Sequence, residues 1–190
     1  KLNYSESESS LGTFYDGGYT EAVLGYAYRP VQHDRLNALV KYSYFYNVPT
    51  TAQVTLQNVA AEFIQKSHVA SVDVSYDLSP RLTIVGKYAY RLGQVSLDRE
   101  YPQFFENNAN LYVLRGDYTL GESWEFLVEG RLLDMPDLGE SRSGALATVS
   151  RYLGDHLKIG VGYNFTDFSD DLTDLSFDHS GFFLNLTGTL

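Results

Sequence analysis

Residues 36–46, LNALVKYSYFY, decide the fold class. Leu36, Ala38, Val40, Tyr42, Tyr44 and Tyr46 alternate with Asn37, Leu39, Lys41, Ser43 and Phe45. Successive side chains of an extended chain point to opposite faces, so this period of two makes a strand with one apolar, aromatic face. The pattern recurs from Leu82, where Leu82, Ile84, Gly86, Tyr88 and Tyr90 stand against Thr83, Val85, Lys87, Ala89 and Arg91. It recurs again from Trp124 and from Leu157. Between these strands lie Ala22, Leu24, Tyr26 and Tyr28, then Ala70, Val72, Val74 and Tyr76, then Tyr112, Leu114, Gly116 and Tyr118, and finally Phe182, Leu184, Leu186, Gly188 and Leu190. The chain is therefore all-β and antiparallel, with hairpin after hairpin.

The connections are expected to come in two kinds. Short polar turns follow Tyr28, Tyr76, Tyr118 and Tyr152, while longer polar stretches cover roughly residues 10–19, 48–63, 93–108, 134–143 and 167–180. All five prolines, Pro30, Pro49, Pro80, Pro102 and Pro136, fall in connections, where a missing N–H breaks no ladder. This punctuation predicts ten strands in one domain spanning 1–190, near 1–9, 20–29, 36–47, 66–78, 82–92, 109–120, 124–134, 144–153, 157–166 and 181–190. Two are weak. KLNYSESESS at the start is too polar for an apolar face, and GALATVSRYLG from Gly144 exposes Thr148 and Ser150 if Tyr152 faces outward, unless a bulge intervenes. Residues 1–10 thus either open a ten-stranded barrel or continue a larger barrel of which these are the C-terminal ten strands.

Composition removes several classes of function. With no cysteine there is no disulfide framework and no thiolate metal site. A net charge of −10 argues against nucleic acid as a partner. No apolar run approaches the roughly 20 residues of a membrane helix. The chain begins at Lys1 without an initiator Met or a charged-then-apolar leader, as expected of a mature form or an excised piece.

The placement of charge says more than its sum. On the face opposite the aromatics lie the bases Arg29, Lys41, Lys87, Arg91, Arg115, Arg131 and Lys158 and the acids Glu21, Asp73, Asp77, Asp117, Glu125 and Glu129. A soluble barrel or sandwich would put charge outside and apolar residues inside. Here the faces are reversed, the arrangement expected of a transmembrane β-barrel with a charged lumen. Tyr28, Tyr76, Tyr118, Trp124 and Tyr152 are then candidate membrane-interface aromatics, ring in the acyl boundary and polar group in water.

With those features the chain resembles the outer-membrane β-barrel superfamily of Gram-negative bacteria. His179, Gly181, Leu184 and Leu186 in HSGFFLNL resemble the C-terminal assembly signal of such proteins, although the chain ends in Leu190 where they most often end in phenylalanine. Residues 162–186, GYNFTDFSDDLTDLSFDHSGFFLNL, are similar to the closing hairpin of barrels at the C-terminal end of large bacterial surface proteins. The resemblance implies residence in the outer membrane, with termini and short turns periplasmic and long loops extracellular. It implies lipid, lipopolysaccharide and the barrel-assembly machinery as partners, and an upstream or partner surface protein as cargo.

Chemistry is poorly supplied. Asp178 and His179 sit beside Asp170, Asp171 and Asp174 as in ten-stranded outer-membrane proteases, but neighbours in a strand point to opposite faces. The other histidines, His33, His68 and His156, gather no acid/base site, and an enzyme is not expected. In the acidic loop Asp167, Asp170, Asp171 and Asp174 form a candidate Ca²⁺ site through carboxylate oxygens. The spacing departs from the EF-hand loop, and a solvated external loop is the simpler expectation. No other cofactor is expected. The near-balance of lumen charge implies pairing, and in a barrel of eight to ten strands side chains fill the bore. A membrane anchor or surface-display protein with a plugged lumen is the leading expectation. The alternatives are a pore within a larger barrel, and an adhesin or receptor using loops such as EYPQFFENN, with Tyr101, Phe104 and Phe105.

Overall fold

The structure, a computed structural model, describes residues 2–5, 19–31, 33–46, 64–98, 101–121, 123–154, 157–172 and 180–188, with backbone alone for 2–5 and 19. The strands are β1 (Leu2–Ser5), β2 (Tyr19–Tyr28), β3 (Leu36–Tyr46), β4 (Ile64–Ser79), β5 (Leu82–Ser96), β6 (Phe105–Glu106), β7 (Ala109–Leu120), β8 (Trp124–Met135), β9 (Glu140–Leu153), β10 (Leu157–Asn164) and β11 (Gly181–Gly188). All ten expected strands are present in one antiparallel sheet, and the two-residue β6 pairs with the loop end of β5. The ladder runs in sequence order from β1 to β11, and no pairing joins those two strands among the described residues. Among the described residues no helix is long and apolar enough to cross a membrane.

The period of two becomes two unlike faces. On the outer face Leu24, Tyr26, Val40, Val72, Tyr88, Tyr112, Leu114, Val128 and Val161 are exposed. On the inner face Ser43, Val69, Ala89, Leu111, Glu129, Arg131, Ser150 and Asn164, drawn from β3, β4, β5, β7, β8, β9 and β10, are buried. A flat single layer would leave both faces open. Part of the charged face is covered by the eight residues that cross it, Phe165–Leu172.

Two expectations about the connections are corrected. The stretch 134–143 is not a long loop: β8 and β9 run on to Met135 and Glu140 and are joined by the tight turn Pro136–Gly139. Leu138 N donates to Met135 O (3.1 Å) and Gly139 N to Pro136 O (3.2 Å), with Gly139 at φ +65°. Asp-Leu-Gly after proline is strong turn chemistry that the polarity of the segment masked. Likewise 93–96 belongs to β5, whose end is extended by pairing of Gln94 and Val95 with Glu106 and Phe105. The anticipated bulge in the eighth strand is absent. β9 pairs residue for residue with both neighbours, and the register shift of the sheet falls instead between Asp77 and Ser79, at the turn after β4.

Gly139 sits in the left-handed region, where a β-branched residue is strained. Gly139→Val is expected to lower unfolding stability by about 1–3 kcal/mol, read from the denaturant midpoint of protein refolded in detergent micelles. An unchanged midpoint would mean that the turn does not hold the β8–β9 hairpin.

Candidate functional site: the charged inner face

Charges on the inner face meet through the geometry of the strand itself. Residues two apart on one strand share a face, which brings Arg131 Nε to 2.5 Å from Glu129 Oε1 on β8 and Arg115 Nε to 3.0 Å from Asp117 Oδ2 on β7. Direct cross-strand partners meet at Lys87 and Asp73, at 4.0 Å. Toward the turn end, three strands converge. Lys158 Nζ of β10 lies 2.5 Å from Glu125 Oε1 of β8, the Tyr152 hydroxyl of β9 donates to Glu125 Oε2 at 3.0 Å, and the Lys158 ammonium stands 5.3 Å from the Tyr152 ring centroid. Asp77 accepts a bond from Thr83 Oγ1 at 2.6 Å. Arg91 departs from the pattern, since its Nη2 donates to the Asn107 amide oxygen at 3.3 Å and its buried Nε meets no partner among the described residues. Glu21 lies half-buried at the loop end of β2, and Arg29 is exposed just past the end of that strand.

Across this face runs a strap, residues Phe165–Leu172, that leaves β10 and reaches back toward β3. Phe165 N donates to Ala145 O (2.8 Å), Thr166 Oγ1 donates to the same carbonyl (3.2 Å), and Thr166 N donates to Asn164 Oδ1 (3.0 Å). Thr166 is fully buried against Gly144, where even a methyl group would collide with it. Farther along, Phe168 and Leu172 pack into a buried cluster with Val69, Ala89, Ala109 and Leu111, flanked by Phe45, Val113, Leu133 and Met135. Two charged contacts fix its course: Arg131 Nη1 donates to Phe168 O (3.1 Å), and Lys41 Nζ lies 2.8 Å from Asp171 Oδ2.

The acidic stretch is thus not the solvated external loop that its composition suggests, at least from Thr166 to Leu172. Polarity alone hid Phe168 and Leu172 among the aspartates. The readable signal was on the other side, in the apolar run Val69, Ala89, Leu111, Val113 and Leu133 at inward register positions, which a water-filled interior would not require. As for the candidate cation site, Asp171 is engaged with Lys41, Asp167 lies 4.0 Å from Arg142 Nη1, Asp170 is exposed, and Asp174, Asp178 and His179 fall outside the described residues. Among the described residues no group of three or more His, Cys, Asp or Glu could hold a metal ion.

Tyr28, Tyr76, Tyr118 and Trp124 stand exposed on the outer face, near the turns. Tyr152, equally exposed, lies on the other face. The register of β9 pairs Val149 with Phe126, Ala147 with Val128 and Ser150 with Glu125, which turns Tyr152 to the charged face and Arg151 outward, 5.3 Å over the Trp124 ring. The apolar residues Ala145, Ala147, Val149 and Leu153 outweigh one tyrosine in choosing the face. At the C-terminal end Gly181 opens β11 with φ +145°, and Leu184 and Leu186 are exposed on it, while Leu190 lies outside the described residues. Compared with known proteins, the chain matches no family model and no curated sequence.

Arg131 and Glu129 are the most enclosed charges among the described residues, with side chains 6% and 7% exposed. Arg131→Ala leaves Glu129 uncompensated and releases the strap carbonyl, so it is expected to cost roughly 3–5 kcal/mol of stability. The double variant Arg131→Leu with Glu129→Leu should cost clearly less, since two apolar groups replace a satisfied pair. Equal losses in equilibrium unfolding would mean that the pair does not act as a unit.

Proposed function

We propose that the chain is a membrane-embedded β-barrel domain of a bacterial outer membrane, acting as an anchor or surface-display element whose interior is filled. The observation that carries this reading is the segregation of charge. Large apolar side chains stand exposed in rows over the whole outer face, including Leu24 at 70%, Leu114 at 64% and Val128 at 63%, while the charges of the inner face find partners. A soluble protein rarely exposes an apolar surface so continuous. Lipid is the solvent in which such a face carries no cost, and the hydrogen-bonded ladder hides the backbone from it. Closure would bring β11 and β1 together at the open ends of the ladder, with the rest of the chain or a further strand completing the ring.

The strap supports the filled interior over the pore. It occupies the inner face with apolar side chains, and its own aspartate neutralises Lys41. Lipid and lipopolysaccharide would surround the outer face, the barrel-assembly machinery would insert it, and the turns would face the periplasm. No catalytic role is proposed for any residue.

Trp124 is the only tryptophan, 40% exposed on the outer face at the turn end. Its fluorescence is expected to be strongly quenched when the protein is folded into bilayers carrying bromine near the headgroup end of the acyl chains, and weakly by bromine at the chain termini. Full accessibility to aqueous iodide together with no quenching by either lipid would sink the membrane reading. In planar bilayers the wild-type chain is expected to give no steady ohmic steps, and steps of fixed size would overturn the filled interior in favour of a channel.

A further inference from the structure

On the outer face, the loop end of β3, β4 and β5 is built differently from the rest. Cross-strand rows can be followed down the register. Tyr46, Lys66 and Gln94 form the first row, Tyr44, His68 and Leu92 the second, Tyr42, Ala70 and Tyr90 the third, Val40, Val72 and Tyr88 the fourth, and Ala38, Val74 and Gly86 the fifth. The rows therefore pass from charged and amide groups, through a histidine, to small aliphatic residues. An open pocket of ≈ 570 Å³ lies on the first two rows, its walls including Tyr44, Lys66, His68, Gln94 and Glu106. Its parts are held in place. The Tyr42 hydroxyl and His68 Nδ1 share a hydrogen bond of 2.7 Å, the Tyr44 and His68 rings lie 4.8 Å apart, and Lys66 Nζ stands 4.3 Å above the Phe104 ring.

Below the pocket, Ala70 lies between Tyr42 and Tyr90, Val72 between Val40 and Tyr88, and Val74 between Ala38 and Gly86. At Gly86 in the fifth row a Cβ would meet nothing within 4 Å. Rows two residues apart are separated by about 6.8 Å, so the third to fifth rows offer an uncharged apolar strip about 14 Å long, the groove of this site. That is close to one leaflet, half of a hydrocarbon core of about 30 Å. A polar pocket with one ammonium and one carboxylate, opening into an apolar groove one leaflet deep, has the profile of a lipid molecule.

We propose that this pocket and groove bind a single phospholipid, with the phosphate on Lys66, an ammonium of the same headgroup on Glu106, and one acyl chain along Ala70, Val72 and Val74. The proposal rests on the outer face being lipid-facing. Lys66 is suited to the phosphate because an ammonium over an aromatic ring keeps its remaining donors directed outward, and charge-assisted bonds to phosphate are the strong ones at a headgroup boundary. His68, held by Tyr42 and Tyr44, sets the floor between headgroup and chain. Glu106 gives the site a preference among phospholipids, since a carboxylate beside the phosphate position favours a zwitterionic head and disfavours a purely anionic one.

The test uses the full chain refolded in detergent micelles and native mass spectrometry, with short-chain phosphatidylethanolamine, phosphatidylglycerol and diacylglycerol as probes. Wild type is expected to retain one phosphatidylethanolamine, with phosphatidylglycerol weaker and diacylglycerol at least tenfold weaker. Lys66→Ala should lose about tenfold for both phospholipids, Lys66→Arg should keep most of the binding, and Glu106→Gln should abolish the preference for phosphatidylethanolamine over phosphatidylglycerol. Diacylglycerol bound as well as the phospholipids, or Lys66→Ala indistinguishable from wild type, would overturn the site. An unchanged lipid preference in Glu106→Gln would overturn the ammonium assignment, and saturation by inorganic phosphate alone would overturn the acyl groove. Trp124 quenching in brominated bilayers, measured on the same variants, separates the two readings. Normal quenching with no retained lipid defeats this site alone, whereas absent quenching defeats the membrane reading on which it rests.

Discussion

The constraint on which the whole structure depends is that a strand cannot mix its two faces. Once Tyr, Leu and Val occupy most alternate positions on the outer side, most charges in the strands fall to the inner side and must find partners there, with Lys66 and Arg151 as exceptions. The pairs follow from this geometry. Arg115 with Asp117 and Arg131 with Glu129 are two-residue steps along one strand, Asp73 with Lys87 is one rung of the ladder, and Glu125 with Lys158 reaches across β9 with Tyr152 between them. The same commitment explains why β9 settled with Tyr152 inward. A one-residue slip that rescued one tyrosine would have sent Ala145, Ala147, Val149 and Leu153 to the charged side.

The strand positions and the alternation of most strands were legible in the sequence because they depend on period and spacing, which are local, whereas Arg29 falls past the end of β2 and β9 takes the register opposite to the one its tyrosine suggested. The partners were less so. A reader of the sequence could infer near-balance, but not that Arg91 would turn to the Asn107 amide or that Lys41 would be met by Asp171, 130 residues away. The strap was misread for a physical reason. Five aspartates between residues 167 and 178 make the average polarity high, while the decisive features are two apolar side chains, Phe168 and Leu172, and a glycine at 144 that leaves room for Thr166. Averages conceal a buried segment whose polar half faces the charged wall and whose apolar half faces the cluster.

The strap and the inner wall specify each other. Lys41 has Gly25 and Ser71 as its cross-strand neighbours, and neither is an acid, so the carboxylate of Asp171 supplies charge that the ladder at that rung lacks. Arg131 binds both Glu129 and the Phe168 carbonyl, which ties the strap to the most enclosed ion pair. Val69, Ala89, Ala109 and Leu111 would be poor residues for a water-lined interior and are good ones for a seat.

The strand charges of the inner face largely cancel in pairs, so little of the excess acid behind the net charge of −10 is carried there. Lys66 at the loop end of the outer face, like Arg151 at the turn end, is a cation placed against the prevailing pattern, here beside apolar residues of the strands below. A residue that breaks the prevailing pattern at the boundary between two solvents has a better physical reason to touch a ligand than any charge of the inner face, whose interactions are already spent within the fold.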